Sequence, residues 1–420
     1  MGGSESKTTD SNAVGDHLEE DKTKVAKPGS IATNWRELSG EHNWKDLLDP
    51  LDIDLRRYII HYGEMAQATY DAFNDDEQSK YVGRSRYGKR EFFSKVGLEK
   101  GNPFKYEVTK FLYATSEKDF LILEDVEESN WIGYVAVATD EGKAILGRRD
   151  IAIAWRGTQQ MVEWAKDFEF ILDDAPIVFG PNKSDIKVHR GFYSIYTATH
   201  SKSIFNKTSA RTQVLTEIRR LVDKFKGEEV SITVSGHSLG AAIATLNAVD
   251  IVANGINIRK DESDKACPVT AFVFASPRVG DPDFRKFFSS QKDLRILRIT
   301  NKNDIVPRHP FLGYADVGEE LEIDTQKSSF LKQPGDVKSW HNLEVYLHGV
   351  AGTQGSKGGF NLEVKRDIAL VNKGMGALKE DYQIPEAWRV DANKGLVQQR
   401  DGSWIMPDPE PEVDVSINEV

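Results

Sequence analysis

The strongest chemical signal in the sequence is the pentapeptide GHSLG at residues 236–240. It matches the pattern Gly-x-Ser-x-Gly, in which a nucleophilic serine occupies a sharp turn between a strand and a helix. The apolar run VSITVSG leads into this turn, and the small-residue stretch AAIATLNAV follows it. The flanking glycines would let neighbouring backbone approach without a Cβ clash. We therefore predict that Ser238 is a nucleophile and that the following helix directs its N–H groups toward developing negative charge.

A serine hydroxyl becomes a strong nucleophile only when a base removes its proton. In folds with this turn, an acid and then a histidine follow the serine along the chain. Asp304 follows the apolar run LRILRIT, so it lies at the carboxyl end of a predicted strand, where α/β active sites collect. Asp281 and Asp283 are alternatives, but they lie in a proline-containing turn beyond another strand. The pattern favours Asp304 as the acid.

Three of the nine histidines follow the serine, namely His309, His341 and His348. His309 is only five residues past Asp304, which makes it hard for one to orient the other from a separate loop. His341 lies where a loop is expected to meet a C-terminal helix, and His348 lies about two turns deeper in that helix. We expect His341 to be the base, with Asp304 fixing its tautomer. His348 is expected to pack in the helix or to anchor a loop.

An oxyanion hole needs two backbone N–H donors aimed at the tetrahedral intermediate. The first is expected from Leu239, the residue after the nucleophile. The second is expected from Thr158 in the run IAIAWRGTQQ, because Gly157 loosens the turn after the strand and the Thr158 hydroxyl can anchor the loop. An ordinary Gly-Thr turn without a catalytic role is the alternative.

The next segment, MVEWAKDFEFIL, has an apolar helical face. Met161, Trp164, Ala165 and Phe168 stand at i, i+3, i+4 and i+7. Two interpretations remain open. The helix packs this face on the core, or it is a short lid over an acyl pocket that exposes the face at a lipid surface. In the second interpretation Met161, Trp164 and Phe168 are lid residues.

The elements that must position these residues alternate along the middle of the chain. Four short apolar runs are typical of buried parallel strands, and they begin at Asp150, Val230, Val269 and Leu294. Helical stretches such as TQVLTEIRRLVDKFKG lie between them. The alternation predicts an α/β fold with a mostly parallel sheet covered by helices on both faces. Upstream, the apolar spacing predicts helices, the first of which ends near Pro50.

Composition excludes several classes of protein. The chain has 420 residues, 39% of them hydrophobic, which is enough for a substantial core and argues against wholesale disorder. Its net charge of −11 and the lack of a long basic run argue against nucleic-acid binding. No apolar stretch is long enough to span a bilayer. The single cysteine, Cys267, and the polar N-terminus favour a cytoplasmic protein without a disulfide framework.

The ends of the chain differ in composition from its middle. Residues 1–30 contain almost no large apolar side chains and are expected to form a disordered tail. Residues 31–405 are expected to form one catalytic domain. Residues 406–420 are acidic and proline-rich, which predicts a second loose tail.

With these residues in view, the chain resembles the class 3 lipase family, and within it the plant phospholipase A1 group. Six ordered blocks carry the resemblance: WRGT, VHRGFYSIY, GHSLGAAIATL, FASPRVGDPDF, ITNKNDIVPRHP and HNLEVYLHGV. It implies an α/β-hydrolase fold, no metal or other cofactor, and cleavage of the sn-1 acyl ester of glycerophospholipids. Residue by residue it carries Ser238, Asp304 and His341 over as the triad. The chain looks like the members without a plastid transit peptide, so the resemblance does not imply a plastid role.

Two other functions remain open. The same triad would serve a neutral-lipid lipase acting on mono- or diacylglycerol, because only the pocket and headgroup contacts differ. A non-catalytic lipid-binding protein is the alternative outside chemistry, although the complete Ser, Asp and His set argues against it. The expected partners are a phospholipid or acylglycerol substrate and a membrane surface touched transiently. Anionic leaflets repel an acidic chain, so this contact is expected through the apolar lid face that carries Trp164.

Overall fold

The computed structural model describes most of the chain. The described residues are 30–77, 79, 81–115, 130–158, 170–181, 183, 185–203, 205–260, 265–389, 397–400, 402 and 404–405. Both predicted tails lie outside the described residues, apart from Ser30. The candidate lid residues Met161, Trp164 and Phe168 also lie outside them.

A sheet of seven strands forms the centre of the described structure. The strands in chain order are β1 (Tyr106–Ala114), β2 (Asn130–Ala138), β3 (Arg149–Trp155), β4 (Leu172–Asp174), β5 (Lys187–His189), β6 (Val230–His237), β7 (Val269–Phe274), β8 (Leu294–Asn301), β9 (Glu319–Ile323), β10 (Val397–Gln398) and β11 (Trp404–Ile405). The central order is β1-β2-β3-β6-β7-β8-β9, antiparallel from β1 to β3 and parallel from β3 to β9. β4 with β5, and β10 with β11, form small antiparallel pairs.

The described helices are α1 (Ser30–Leu38), α2 (Ile53–Asp71), α3 (Phe92–Lys95), α4 (Asp140–Leu146), α5 (Pro176–Phe179), α6 (Arg190–Thr197), α7 (Ala210–Lys224), α8 (Leu239–Ala253), α9 (Pro282–Ser289), α10 (Val337–His341) and α11 (Leu343–Gly352). Short 3-10 helices are Val306–Arg308, Thr325–Lys327, Ile368–Asn372 and Glu380–Tyr382. Among all these helices, none combines the length and the apolar content that crossing a membrane requires.

The central sheet separates two apolar cores. Alternate side chains of a strand point to opposite faces, so Ile151 and Ile153 of β3 join one core, while Ala152 and Ala154 join the other. Helices α5 to α9 contribute to the first core, and α1, α2 and α11 contribute to the second. Because both faces are covered, a central strand such as β6 is buried along its whole length.

The sequence predicted most of this architecture. The four predicted strands are present as β3, β6, β7 and β8, and the mostly parallel sheet between two helical layers confirms the α/β-hydrolase fold class. The predicted end of the first helix near Pro50 is wrong, since α1 ends at Leu38. Asn43, Trp44 and Asp46 have positive φ angles of 54°, 52° and 63°, which interrupt an α-helix well before the proline.

Helix α2 carries a buried histidine, His61, that has no hydrogen-bond partner within the described structure. It packs against the rings of Tyr62, Phe104 and Tyr106, with centroids 4.8, 4.4 and 5.4 Å away. Burial lowers the pKa of His61 from 6.5 to about 3, so the folded protein keeps the ring neutral. The unfolded chain binds a proton at this position below about pH 6.5. Folding stability therefore falls as the pH drops from about 6.5 toward the folded pKa.

We predict that His61→Phe stabilises the protein and that the gain is larger at acid pH. Phenylalanine keeps a ring in the pocket and removes two unsatisfied buried nitrogens, which is worth about 1–3 kcal/mol at neutral pH. Below about pH 6.5 the gain grows by about 1.4 kcal/mol per pH unit. The wild-type chain takes up a proton at His61 when it unfolds, which favours its unfolded state at acid pH, and the variant has no such group. Urea unfolding of both proteins at about pH 7 and about pH 5 measures the gain in stability at neutral pH and its increase at acid pH.

The matched control for this titration is His42→Gln. His42 is exposed, and its hydrogen bond to Glu37 raises its pKa, so its removal should cost a little stability at acid pH instead. A gain from His61→Phe that does not change with pH would contradict the argument from the lowered pKa.

Candidate active site

The GHSLG segment forms a one-residue turn with strained backbone. β6 ends at His237 and α8 begins at Leu239, so Ser238 alone joins them. Ser238 has φ 59° and ψ −125°, a conformation that costs a non-glycine residue about 1–3 kcal/mol. Its backbone N–H donates to the Phe274 carbonyl of the neighbouring strand at 2.9 Å. The turn therefore lies at the carboxyl edge of the sheet, as a strand–turn–helix nucleophile requires.

Two glycines make this turn possible. A Cβ on Gly236 would lie 2.3 Å from the Gly240 carbonyl oxygen, and a Cβ on Gly240 would lie 2.3 Å from the Trp155 carbonyl oxygen. Real Cβ atoms essentially never approach other atoms so closely. The end of β3 therefore packs directly on the first turn of α8, with no room for any side chain between them.

Asp304 and His341 are in direct contact. The distance between His341 Nδ1 and Asp304 Oδ2 is 2.5 Å, and both side chains are buried. A carboxylate oxygen accepts, so the Nδ1–H of His341 donates and Nε2 carries the lone pair. Asp304 follows β8, and His341 is the last residue of α10. Two separate elements thus bring together a pair that lies 37 residues apart in the chain.

Two further donors hold the Asp304 carboxylate. The Val306 backbone N–H donates to Oδ1 at 3.0 Å, and the Tyr346 hydroxyl donates to Oδ2 at 2.6 Å. The same hydroxyl accepts the Asn301 backbone N–H at 3.0 Å. Burial, reinforced by the charge of Asp304, raises the pKa of Tyr346 well above 10, so the hydroxyl keeps the proton that it donates. Sequence reasoning missed Tyr346, because an aromatic residue at helical spacing indicates only core packing.

His237, next to the serine, ties the turn to the segment that carries His341. His237 Nε2 donates to the His341 backbone carbonyl at 2.8 Å, and Nδ1 accepts the Tyr70 hydroxyl at 2.8 Å. Burial, together with the nearby His341, lowers the pKa of His237 well below 6.5, so the ring stays neutral. Tyr70 lies at the end of α2, 167 residues upstream, and no sequence pattern indicates the pairing.

The segments of both predicted oxyanion donors adjoin the turn. Leu239 is the first residue of α8, so its backbone N–H has no acceptor within the helix. Thr158 is buried in the loop that follows β3. A Cβ on Gly157 would lie 2.6 Å from the His237 carbonyl oxygen, which shows how closely this loop approaches the turn at Ser238.

The other residues considered from the sequence occupy different positions. His309 Nδ1 lies 2.8 Å from a backbone carbonyl of its own loop, and His348 Nε2 lies 2.8 Å from Ser328 Oγ. Burial lowers the pKa of His348 from 6.5 to about 3. Asp281 caps α9 by accepting a backbone N–H at 2.8 Å, and Asp283 is exposed in the first turn of that helix. Of the three candidate acids, Asp304 is the one whose hydrogen bond to His341 the structure records.

Comparison with known proteins identifies the family. The family described as lipase (class 3) matches residues 152–314, which include the turn and Asp304. Phospholipase A1-IIgamma of Arabidopsis thaliana is 55% identical over 392 residues, which cover 90% of this chain and 94% of that protein. The chain belongs to the class 3 lipase family. The resemblance indicated by the six sequence blocks is therefore confirmed.

A further relative and a solved lipase are also similar to this chain. Phospholipase A1-II 1 of Oryza sativa subsp. japonica is 53% identical over 392 residues, covering 91% of this chain and 98% of that protein. The crystal structure of Lip2 lipase from Yarrowia lipolytica is 20% identical, with a TM-score of 0.44, and the match covers 66% of this chain and 81% of that chain.

We predict that Gly240→Ala destabilises this class 3 lipase by more than about 3 kcal/mol, because the added methyl must displace packed backbone at the end of β3. Gly227→Ala is the matched control. A Cβ on Gly227 meets nothing within 4 Å, so its effect should stay within about 0.5 kcal/mol. Chemical denaturation of both variants measures the difference. Equal effects would show that the close approach at the turn is not a tight constraint.

Proposed function

We propose that this chain is a serine acylhydrolase that cleaves the sn-1 acyl ester of glycerophospholipids, giving a free fatty acid and a 2-acyl lysophospholipid. The observation that carries the proposal is the 2.5 Å contact between His341 Nδ1 and Asp304 Oδ2, in a chain whose Ser238 occupies a strained strand–helix turn. The substrate follows from the relatives, because proteins 55% and 53% identical over nine-tenths of the chain are named phospholipase A1.

In the proposed mechanism Ser238 is the nucleophile and His341 is the base. Asp304 holds Nδ1–H, so Nε2 of His341 accepts the Ser238 Oγ proton as Oγ bonds to the sn-1 carbonyl carbon. The tetrahedral intermediate collapses when His341 returns the proton to the leaving glycerol oxygen. Water, deprotonated by the same nitrogen, then attacks the acyl-enzyme. The fatty acid leaves, and Ser238 recovers its proton.

Backbone donors complete the proposed site. The N–H groups of Leu239 and Thr158 would bind the oxygen that becomes negative in the tetrahedral intermediate. Leu239 is suited to this role because it begins α8, where the orphan N–H groups and the helix dipole favour negative charge. Removal of one such donor in an acyl-transfer enzyme slows the chemical step by about 10²–10³-fold.

The burial of the site favours catalysis at a lipid surface. Ser238 is 0% exposed and His341 is 3% exposed, and we propose that a movement of the surrounding structure admits the lipid substrate. Contact with a membrane can drive such a movement if the open form binds lipid better than the closed form. We therefore include transient membrane contact in the proposal. The unpaired, buried Cys267 is compatible with a reducing cytoplasm, which is the compartment we propose.

We predict sn-1 selectivity on phosphatidylcholine that carries different acyl chains at sn-1 and sn-2. The wild type should release the sn-1 chain, and Ser238→Ala should release neither chain, because it lacks the nucleophile. Chromatography of the released fatty acids measures both. Diacylglycerol is assayed in parallel. Turnover of diacylglycerol without phospholipid would assign the same site to neutral lipids, and release from neither lipid would exclude the hydrolase.

We predict that Asp304→Asn lowers kcat by about 10³–10⁴-fold with little change in KM. The asparagine amide donates to His341 Nδ1 and so places the imidazole proton on Nε2, where it blocks proton transfer from the serine. Asp283→Asn, an exposed change, is the matched control and should leave the kinetics unchanged. A loss of less than about tenfold in Asp304→Asn would contradict the assigned role.

A further inference from the structure

The loop after β8 exposes a cluster of large apolar side chains. Leu312 is 89% exposed, Phe311 is 61% exposed and Ile305 is 45% exposed. Phe170, 44% exposed, adjoins them, because its ring centroid lies 6.4 Å from that of His309, which lies 4.1 Å from that of Phe311. We call Ile305, Phe311, Leu312 and Phe170, together with His309, whose ring lies between those of Phe170 and Phe311, the apolar tip. Monomeric proteins scatter single exposed apolar side chains, whereas a cluster marks a protein or membrane contact.

The exposure of the apolar tip is fixed by the backbone beneath it. The Arg278 backbone N–H donates to the His309 carbonyl at 2.8 Å. The Arg278 guanidinium donates through Nη1 to the carbonyls of Arg308 and Pro310 at 3.1 and 3.2 Å. A loop held at three successive carbonyls cannot easily turn its side chains inward. The apolar surface is therefore presented to solvent by the fold itself.

Basic side chains lie beside the apolar tip. Lys302 and Arg308 are exposed, whereas Asp304, the one acid between residues 302 and 313, is buried. Lys302 Nζ forms an ion pair with Asp324 Oδ2 at 3.5 Å. The Arg308 guanidinium donates to the Lys302 carbonyl at 2.7 Å. Apolar side chains flanked by lysine and arginine match a phospholipid surface, where acyl chains lie below a layer of phosphates.

The apolar tip is continuous with the proposed catalytic site. Ile305 directly follows Asp304, and the Val306 backbone N–H donates to Asp304 Oδ1 at 3.0 Å. The same short loop therefore carries the catalytic acid on its inner side and apolar side chains on its outer side. A bilayer bound at the tip would lie beside the site that uses its lipids.

We propose that the apolar tip docks this protein on a zwitterionic phospholipid surface. Phe311 and Leu312 enter the interface, and Lys302 and Arg308 contact lipid phosphates. The surface is zwitterionic rather than anionic because the net charge of −11 opposes an anionic leaflet. The choice of partner rests on the proposed function, but docking and hydrolysis are separate measurements.

The binding test uses the full chain with Ser238→Ala, so that no lipid is consumed. The probe is vesicles of diether phosphatidylcholine, and flotation measures the bound fraction. Leu312→Asp and Phe311→Asp should each lower the partition coefficient by about tenfold or more, because a charge cannot enter the apolar interface. Ile53→Asp is the matched control. Ile53 is also exposed, but it is the first residue of α2. It lies about 25 Å along that helix from Tyr70, the α2 residue that contacts the Ser238 turn through His237.

A site-specific reporter adds a second measurement. The single native cysteine, Cys267, is buried, so a polarity-sensitive thiol dye on Leu312→Cys labels the tip selectively. Its emission should shift to the blue when phosphatidylcholine vesicles are added. The same dye on Ile53→Cys should not respond.

The activity test uses the chain with Ser238 intact and separates the two proposals. Leu312→Asp should hydrolyse a soluble short-chain ester at the wild-type rate but lose about tenfold or more on vesicles. Vesicle binding that depends on Leu312, without hydrolysis of any ester, would support docking and reject the proposed function.

Three results would overturn the docking proposal. The first is a wild type that does not bind the vesicles, and the second is a Leu312→Asp variant that binds as the wild type does. The third is a wild-type dimer, seen by sedimentation, that Leu312→Asp converts to a monomer without loss of vesicle binding. In that case the apolar tip would be the interface between two copies of the chain.

Discussion

The strained turn at Ser238 depends on close packing around it. The cost of its backbone, about 1–3 kcal/mol, is released if the turn can relax, so neighbouring elements must leave it no alternative conformation. Gly236 and Gly240 bring the ends of β3 and β6 and the first turn of α8 into contact too close for a Cβ. α8 is itself buried from Leu239 to Ile251. Loosening of this core would therefore allow the backbone at Ser238 to relax from its strained conformation.

A second constraint acts through helices α2 and α11, which pack in the second apolar core. α2 presents Tyr70 to His237, and α11 presents Tyr346 to Asp304. Arg366 bridges these helices, because its guanidinium binds both Glu64 of α2 and Glu344 of α11. All three side chains are largely buried, and Lys373 also binds Glu344 at 3.1 Å. Removal of Arg366 would therefore leave Glu64 as the largely buried charge that loses its ion-pair partner, which is destabilising. Arg366 thus fixes the position of α2 relative to α11, the two helices that carry Tyr70 and Tyr346.

The sequence indicated the elements better than the contacts between them. Apolar runs and the glycine-flanked serine have local signatures, so four strands and the turn at Ser238 were predictable, and the family resemblance was confirmed. The roles of Asp304 and His341 remain predictions, derived from chain order and element ends. Tyr70 and Tyr346 were not predictable, because a hydroxyl that pairs with a distant residue leaves no periodic pattern. The antiparallel strands β1 and β2 were not singled out either. β1 mixes exposed and buried residues without a strict alternation, and β2 is buried at every residue after Asn130.

The loop after β8 serves two requirements that are usually separate. Its inner side must be rigid, because Asp304 orients a ring only if the carboxylate is held by several donors, as the Val306 amide and the Tyr346 hydroxyl hold it. Its outer side keeps Phe311 and Leu312 in water, which costs free energy unless another surface covers them. A flexible loop would bury those side chains and lose the alignment of the acid. The rigidity that holds the Asp304 carboxylate is therefore also what keeps Phe311 and Leu312 exposed.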